Sequence, residues 1–361
     1  MFQHHGKIMK TMLSISFFAV IRRHRVLVLC GALWSLPALA AEDLPVGHYA
    51  LPETGNIVGE VYSVRIEEGE TLLDLAAAHG VGYEEIRHAN PEVSIWAPDA
   101  GTEVTIPARY VLPPERRDGL VINMAELRLY YYPKTAEGET PTVETYPIGI
   151  GRDGYDTPLG VTKTTMKLKN PAWYPPDSIR QEAAEKGEPL PSVVPAGPEN
   201  PLGDRAILLD LPGYLIHGTN RPDGVGMRVS HGCIRMRPET IRALYTRIGV
   251  GERVNIIDMP VKIGGDGERL YVQSFPLDGQ EVGMNDLLSA LQKTPEAGGI
   301  PLDYTRLGET LKASGWQPIA LAPLPEAVIT IEPEPLRWYD AFRSWQQSLE
   351  TSRVTPEREG S

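Results

Sequence analysis

The sequence predicts a mainly β domain preceded by a small α+β module of strand–helix–helix–strand (βααβ) order. Three observations lead there. Residues 119–258 carry short β-branched and aromatic runs separated by turn residues, and helical periodicity is rare among them. Residues 59–108 switch from strand to helix signals and back within fifty residues. Between strand signals, residues 171–201 hold eight prolines, the mark of a long irregular insertion rather than a core element.

In order along the chain, Arg22, Arg23 and Arg25 precede the apolar run Val26–Trp34, which ends at Ala38-Leu39-Ala40, a small-x-small cleavage signal. Residues 1–40 therefore read as a signal peptide for export. The run is short for a bilayer span, and an uncleaved anchor is the rival reading. The segment before Arg22 has its own apolar stretch, Met12–Ile21, which suggests that translation starts downstream. Residues 41–58 form a lead-in. In the module, Val61–Val64 reads as a strand, and Thr71-Leu72-Leu73-Asp74 as a capped helix start whose apolar face holds Leu72, Leu75 and Ala76, stopped by Gly80. A second helix carries Ile86 and ends at Asn90-Pro91, and Val104–Pro107 is the closing strand.

Arg109–Asp118 is expected to be a linker. After it, Gly119–Asn123 and Leu127–Tyr132 read as strands around an Asn-Met-Ala-Glu turn. Further strands are expected at Val143–Ile150, Val161–Lys167, Arg205–Leu209, Tyr214–His217 and Val254–Ile257. The insertion should contain a helix near Ser178–Lys186 and act as a lid. A C-terminal extension, 259–361, offers one strand at Tyr271–Phe275, then helices; Trp338, Phe342, Trp345 and Leu349 fall on one face of the last.

Lys and Arg number 35 against 47 Asp and Glu, and five of the basic residues lie in the first forty, so the remainder carries a net charge of −17. So acidic a chain is unsuited to nonspecific binding of nucleic acid or an anionic membrane. No nucleotide-binding or membrane-spanning pattern follows the leader, and no cofactor is called for. Of the two cysteines, Cys30 lies in the leader, which leaves Cys233 with no internal partner.

Beyond residue 110 the only histidines are His217 and His231, both near Cys233 in sequence. A sole cysteine beside its domain's only histidines suggests a thiol nucleophile and its base. His217 ends the apolar strand Tyr214–Ile216, and Gly218 lets the chain turn there. Ser230 and His231 precede Gly232, which permits a tight turn that aims the backbone N–H groups of Gly232 and Cys233 at a developing oxyanion. Arg235 is placed to hold a substrate carboxylate, unless it pairs with Glu239. Two histidines and a thiolate could instead bind zinc.

Residues 119–258 resemble the YkuD-type L,D-transpeptidase catalytic domain. The matching segments are His217-Gly218, the spacer Gly224-Val225-Gly226 and Ser230-His231-Gly232-Cys233-Ile234-Arg235. Upstream, Tyr146–Gly151, Thr157–Gly160, Asn170–Trp173 and Pro195–Gly203 fit too. The resemblance implies a β-sandwich with short helices, a periplasmic enzyme of the Gram-negative branch, Cys233 as nucleophile, His217 as base, and Asn220, Trp173 and Arg235 near the substrate. It implies peptidoglycan tetrapeptide stems as donors, with another stem, the outer-membrane murein lipoprotein or water as acceptor. Residues 59–108 resemble a LysM peptidoglycan-binding module through Tyr62-Ser63-Val64, Gly69–Leu72, His79-Gly80-Val81, Asn90-Pro91 and Ile106-Pro107. That likeness implies a glycan cradle at Gly69, Thr71, Leu72 and Asn90.

Overall fold

The computed structural model describes residues 44–276, 282–294, 307–309, 311 and 315–323. The segment 1–40 and the expected helix bearing Trp338, Phe342, Trp345 and Leu349 lie outside the described residues.

Strand β1 (His48–Ala50) leads into β2 (Ile57–Arg65), helices α1 (Leu72–Ala78) and α2 (Tyr83–Ala89), and β3 (Glu103–Val111). β2 and β3 pair antiparallel from Ile57↔Val111 to Arg65↔Glu103, and the helices pack on that ribbon. Local chemistry fixes α1: the Thr71 hydroxyl accepts from the Asp74 N–H, and the Asp74 carboxylate accepts from the Thr71 N–H at 2.9 Å. Gly80, at φ +66°, closes it. Leu72, Leu75, Ala76, Val81, Ile86, Val104 and Ile106 then share one small core.

Two boundaries differ from the sequence expectation. Arg109, Tyr110 and Val111 continue β3 instead of starting a linker, because Tyr110 is buried and both backbone groups of Val111 are engaged: Gln273 Oε1 accepts its N–H at 3.0 Å, and Lys262 Nζ donates to its carbonyl. In the lead-in, β1 is an edge strand, paired with β6 through His48↔Glu144.

The larger body contains β4 (Gly119–Asn123), β5 (Arg128–Tyr132), β6 (Thr142–Pro147), β7 (Ile150–Gly151), β8 (Gly160–Lys169), helix α3 (Asp177–Glu185), β9 (Arg205–Leu209), β10 (Leu215–His217), β11 (Arg228–Ser230), β12 (Ile234–Arg235), helix α4 (Pro238–Arg247) and β13 (Arg253–Ile257). Nine strands form one sheet in the order β1-β6-β5-β4-β13-β8-β9-β10-β12. This mainly β sheet curls around a core in which Leu120, Ile122 and Leu129 join Ile207, Ile216, Ile234 and the α4 residues Ile241 and Leu244. The expected strand Val143–Ile150 is interrupted at Ile148-Gly149, where Gly149 exchanges two backbone hydrogen bonds of 2.8 Å with Arg235.

The C-terminal extension is more than one strand with helices. β14 (Val261–Gly265), β15 (Arg269–Ser274) and β16 (Ile319–Pro323) form a three-stranded antiparallel sheet, with α5 (Met284–Gln292) packed through Leu287 and Leu291. No helix among the described residues is long and apolar enough to cross a membrane.

Candidate active site

Residue alternation and sheet register bring the candidate residues together. β10 pairs antiparallel with β9 and parallel with β12, with Ile216↔Ile234 and His217↔Arg235. Cys233 immediately precedes β12, the last strand of the sheet, so the thiol stands one strand over from His217.

His217 is buried, and its Nδ1 lies 2.6 Å from the Gly218 carbonyl. A carbonyl only accepts, so Nδ1 carries the proton and Nε2 keeps its lone pair. Burial, aided by the Arg235 guanidinium, pushes the imidazole down to about 4 against the pull of the Gly218 carbonyl. A neutral base is the result. Gly218 allows close packing behind it: a methyl built there would lie 3.3 Å from both Ile241 Cγ2 and the Leu202 carbonyl.

The thiol loop is tied from within. Ser230 Oγ donates to the Cys233 carbonyl at 2.6 Å and accepts from the Gly232 N–H at 3.2 Å. Thr157 Oγ1 donates to the Gly232 carbonyl at 2.7 Å, and Gly232 takes φ +101°, where a side chain would be strained. The Gly232 N–H is thus occupied. Of the two backbone donors expected to face an oxyanion, the Cys233 N–H is the one without a partner among the described residues. Cys233 Sγ lies 3.6 Å from the Gly213 carbonyl. Burial raises the thiol's pKa, opposed by the Leu215 N–H and by the Arg235 charge.

Arg235 is half-buried and has no ion pair among the described residues, and its Nε is buried without a hydrogen bond. Burial and then Arg221 lower its pKa, and the Cys233 thiolate would raise it. Glu239 acts on Arg237 instead, so the alternative Arg235–Glu239 pairing is not formed. The uncommitted guanidinium suits an anionic ligand.

The catalytic domain of the YkuD family, described as an L,D-transpeptidase catalytic domain, matches residues 117–256. "Probable L,D-transpeptidase YbiS" of Escherichia coli K12 is 41% identical over 286 residues, 76% of this chain and 91% of the relative. "Probable L,D-transpeptidase ErfK/SrfK" of the same strain is 42% identical over 241 residues, covering 66% and 76% of the two chains. "Probable L,D-transpeptidase YcfS" is 44% identical over 237 residues, 63% and 73%. This chain belongs to the YkuD-type L,D-transpeptidase family. It is an enzyme of that class, which acts on peptidoglycan.

Within this L,D-transpeptidase, His231 turns away from the thiol. Its exposed ring lies 3.2 Å from Glu182 Oε2 and 3.1 Å from Arg152 Nη2, edge-on to Tyr155. Glu182, on α3 of the insertion, also accepts from Arg152 at 2.5 and 2.6 Å, from Tyr155 at 3.0 Å and from Lys186 at 2.5 Å. These donors, Arg152 first, hold its carboxyl well below the usual carboxylate range. The sequence reading missed Glu182 and Arg152. Glu182 sits on the expected helix of the insertion and Arg152 just beyond β7, neither with a local signal for the other, and only folding across 30 positions pairs them.

Trp173 is half-buried and clamps the insertion by exchanging backbone hydrogen bonds with Val194 at 2.9 and 2.8 Å. Asn200 pins the same segment, donating to the Pro171, Val194 and Pro195 carbonyls. Asn220 is exposed just beyond Gly218 and the buried Thr219. No group of three or more His, Cys, Asp or Glu gathers in metal-binding geometry among the described residues, so His217, His231 and Cys233 do not converge as zinc ligands.

In the small module, Gly69 (φ +82°) is at an open turn, and the Thr71 side chain is engaged in the α1 cap. Leu72 is fully buried, and its N–H donates to the Ile95 carbonyl at 3.1 Å, tying the two candidate glycan loops together. Asn90 is buried, with its amide donating to Ile86 and Thr105 carbonyls and accepting from the Thr105 N–H. Leu72 and Asn90 thus shape these loops from inside.

Proposed function

We propose that Cys233 attacks the carbonyl joining the third residue of a peptidoglycan tetrapeptide stem to its terminal D-Ala. The observation that carries this reading is the neutral, Nδ1-protonated His217 one strand away from Cys233. Nε2 takes the thiol proton as the S–C bond forms, the oxyanion collects on the Cys233 N–H, and the proton passes to the departing D-Ala amine. The product is a thioester on Cys233. An acceptor amine then attacks it, His217 removes its proton, and the thiol is regenerated. A stem amine as acceptor gives a 3→3 cross-link, a lysine of murein lipoprotein gives an anchored protein, and water makes the enzyme an L,D-carboxypeptidase. Arg235, with Arg221 near it, attracts a stem carboxylate, and Asn220 and Trp173 are the further residues assigned to substrate contact. Carbapenems should acylate Cys233 by the same route.

The proposed organisation is a signal peptide over 1–40 for export to the periplasm, a LysM-like glycan-binding module over 59–108, the catalytic domain over 119–258 and the extension 259–361. The β2-α1-α2-β3 order and the joined Gly69–Leu72 and Asn90–Ile95 loops support the module assignment. Mass spectrometry of purified disaccharide-tetrapeptide treated with the protein and with Cys233→Ala tests the reading. D-Ala loss with dimers, absent in the variant, is expected. D-Ala loss without dimers would point to water or a protein acceptor. No turnover and no adduct would reduce the protein to a murein binder whose catalytic site has decayed.

A further inference from the structure

The small module touches the catalytic loop directly. The Tyr83 and Glu84 N–H groups at the start of α2 donate to the carbonyls of Val225 and Gly226, both at 3.3 Å. These carbonyls lie in the spacer between His217 and Cys233. The fit leaves no room: a methyl built on Gly226, itself at φ +88°, would lie 2.2 Å from Tyr83 N and 2.7 Å from Gly82 Cα.

The spacer in turn borders Arg235. Gly226 N–H donates to the Ile148 carbonyl at 3.1 Å, next to the reciprocal Gly149–Arg235 pair. A methyl on Gly224 would stand 3.3 Å from Arg235 Nη1. The docking is also held from behind. Glu85 Oε2 accepts from the Gly82 N–H, and the Glu85 carboxylate receives two hydrogen bonds, 2.8 and 2.5 Å, from Arg128 of β5. Arg128 is fully buried, donates to Thr145 at 2.9 Å and to the Gly80 carbonyl at 3.3 Å, and lies over the Tyr110 ring. Removing one side of such a pair strands a buried charge.

We infer that the module positions the catalytic loop: Tyr83 and Glu84, through their backbone N–H groups, hold Val225-Gly226 and thereby place Arg235 beside the thiol. They are positioning residues, and the module governs turnover even of a substrate that has no sugar. The inference rests on Cys233 being the nucleophile.

The test is Tyr83→Pro against Tyr83→Ala, assayed on a free tetrapeptide stem without glycan. Tyr83 is the first residue of α2, where proline is tolerated, and Gly82 is already extended (φ −90°, ψ 170°), as a residue before proline must be. Both variants lose the ring, but only the proline loses the N–H and drives its Cδ into the spacer. Relative to Tyr83→Ala, the proline variant should lose about tenfold or more in kcat/KM, as expected when reacting groups shift by about 1 Å. Its Cys233 alkylation should also move to higher pH, because the Arg235 charge no longer favours the thiolate. Equal turnover and equal alkylation profiles in the two variants would overturn the inference. Should Tyr83→Pro fail to fold, Glu85→Gln decides at a temperature where circular dichroism shows it folded: turnover of the sugar-free stem and a Cys233 alkylation profile equal to those of the unaltered protein overturn the inference, and a loss of turnover with the alkylation profile moved to higher pH supports it. An unaltered protein with no turnover would instead defeat the assignment of Cys233.

Discussion

Arg235 and His217 are register partners on the last two strands of the sheet, so a guanidinium with no ion-pair partner among the described residues stands beside the candidate base. That neighbour, added to burial, keeps the imidazole neutral. The resting pair is then a thiol and a neutral imidazole, in contrast to the thiolate–imidazolium pairs of many cysteine enzymes.

The first consequence is an unusually low acid limb. With His217 at about 4, kcat/KM should fall as the pH drops through about 4, and not near the ordinary histidine value of 6.5. Stability follows the same group. Between these values the unfolded chain binds a proton that the folded chain does not, so stability is lost as the pH falls from 6.5 towards 4. Replacing His217 with Asn should flatten that part of the stability curve and cut kcat by about 10²-fold or more. Chemical denaturation across that pH window, with a pH–rate profile, checks both.

Cys233 should react slowly at neutral pH. Burial raises its pKa against the Leu215 N–H and the Arg235 charge, so iodoacetamide alkylation should still be accelerating past pH 9. Arg235→Gln should displace the curve further upward. A plateau below about pH 7 would reveal a preformed thiolate and contradict the neutral pair.

Glu182→Ala should release the insertion. Arg152, Tyr155, Lys186 and His231 all converge on that carboxylate. The group is at the surface, so the melting temperature should hardly move. Proteolysis within residues 171–201 should quicken, and KM should rise more than kcat falls. Limited trypsinolysis and steady-state kinetics measure the two effects.

Lys262→Met should destabilise the whole described body. Lys262 and Glu126 are fully buried at 2.7 Å, with Tyr130 OH 2.9 Å from the ammonium. Truncating the lysine strands the carboxylate at a cost of about 3–5 kcal/mol, readable as a lower urea midpoint. Because Lys262 also donates to the Val111 carbonyl, the loss should loosen the end of β3.

Local chemistry was legible in the sequence. The Thr71–Asp74 cap, the Gly80 stop and the Asn123–Glu126 turn each depend on residues within a few positions, and each formed as expected. The strand ending at His217 was legible too, but the short strand β12 after Cys233, which brings the thiol beside it, was not. Contacts between distant segments were not legible. Nothing near Glu182 announces Arg152, nothing near Glu85 announces Arg128, and nothing near Val111 announces that Ile57 pairs with it while Gln273 and Lys262 take up its backbone groups. His231, only two residues from Cys233, suited a structural hydrogen bond better than base chemistry, but its partners Glu182 and Arg152 lie too far along the chain to be read from its surroundings.

The most direct test of the account is intact and peptide-level mass spectrometry after exposure to a tetrapeptide stem with no acceptor amine. A covalent adduct equal to the stem less D-Ala is expected on the peptide containing Cys233, sensitive to hydroxylamine and absent in Cys233→Ala. An adduct on another residue, or D-Ala release by Cys233→Ala at the unaltered rate, would contradict it.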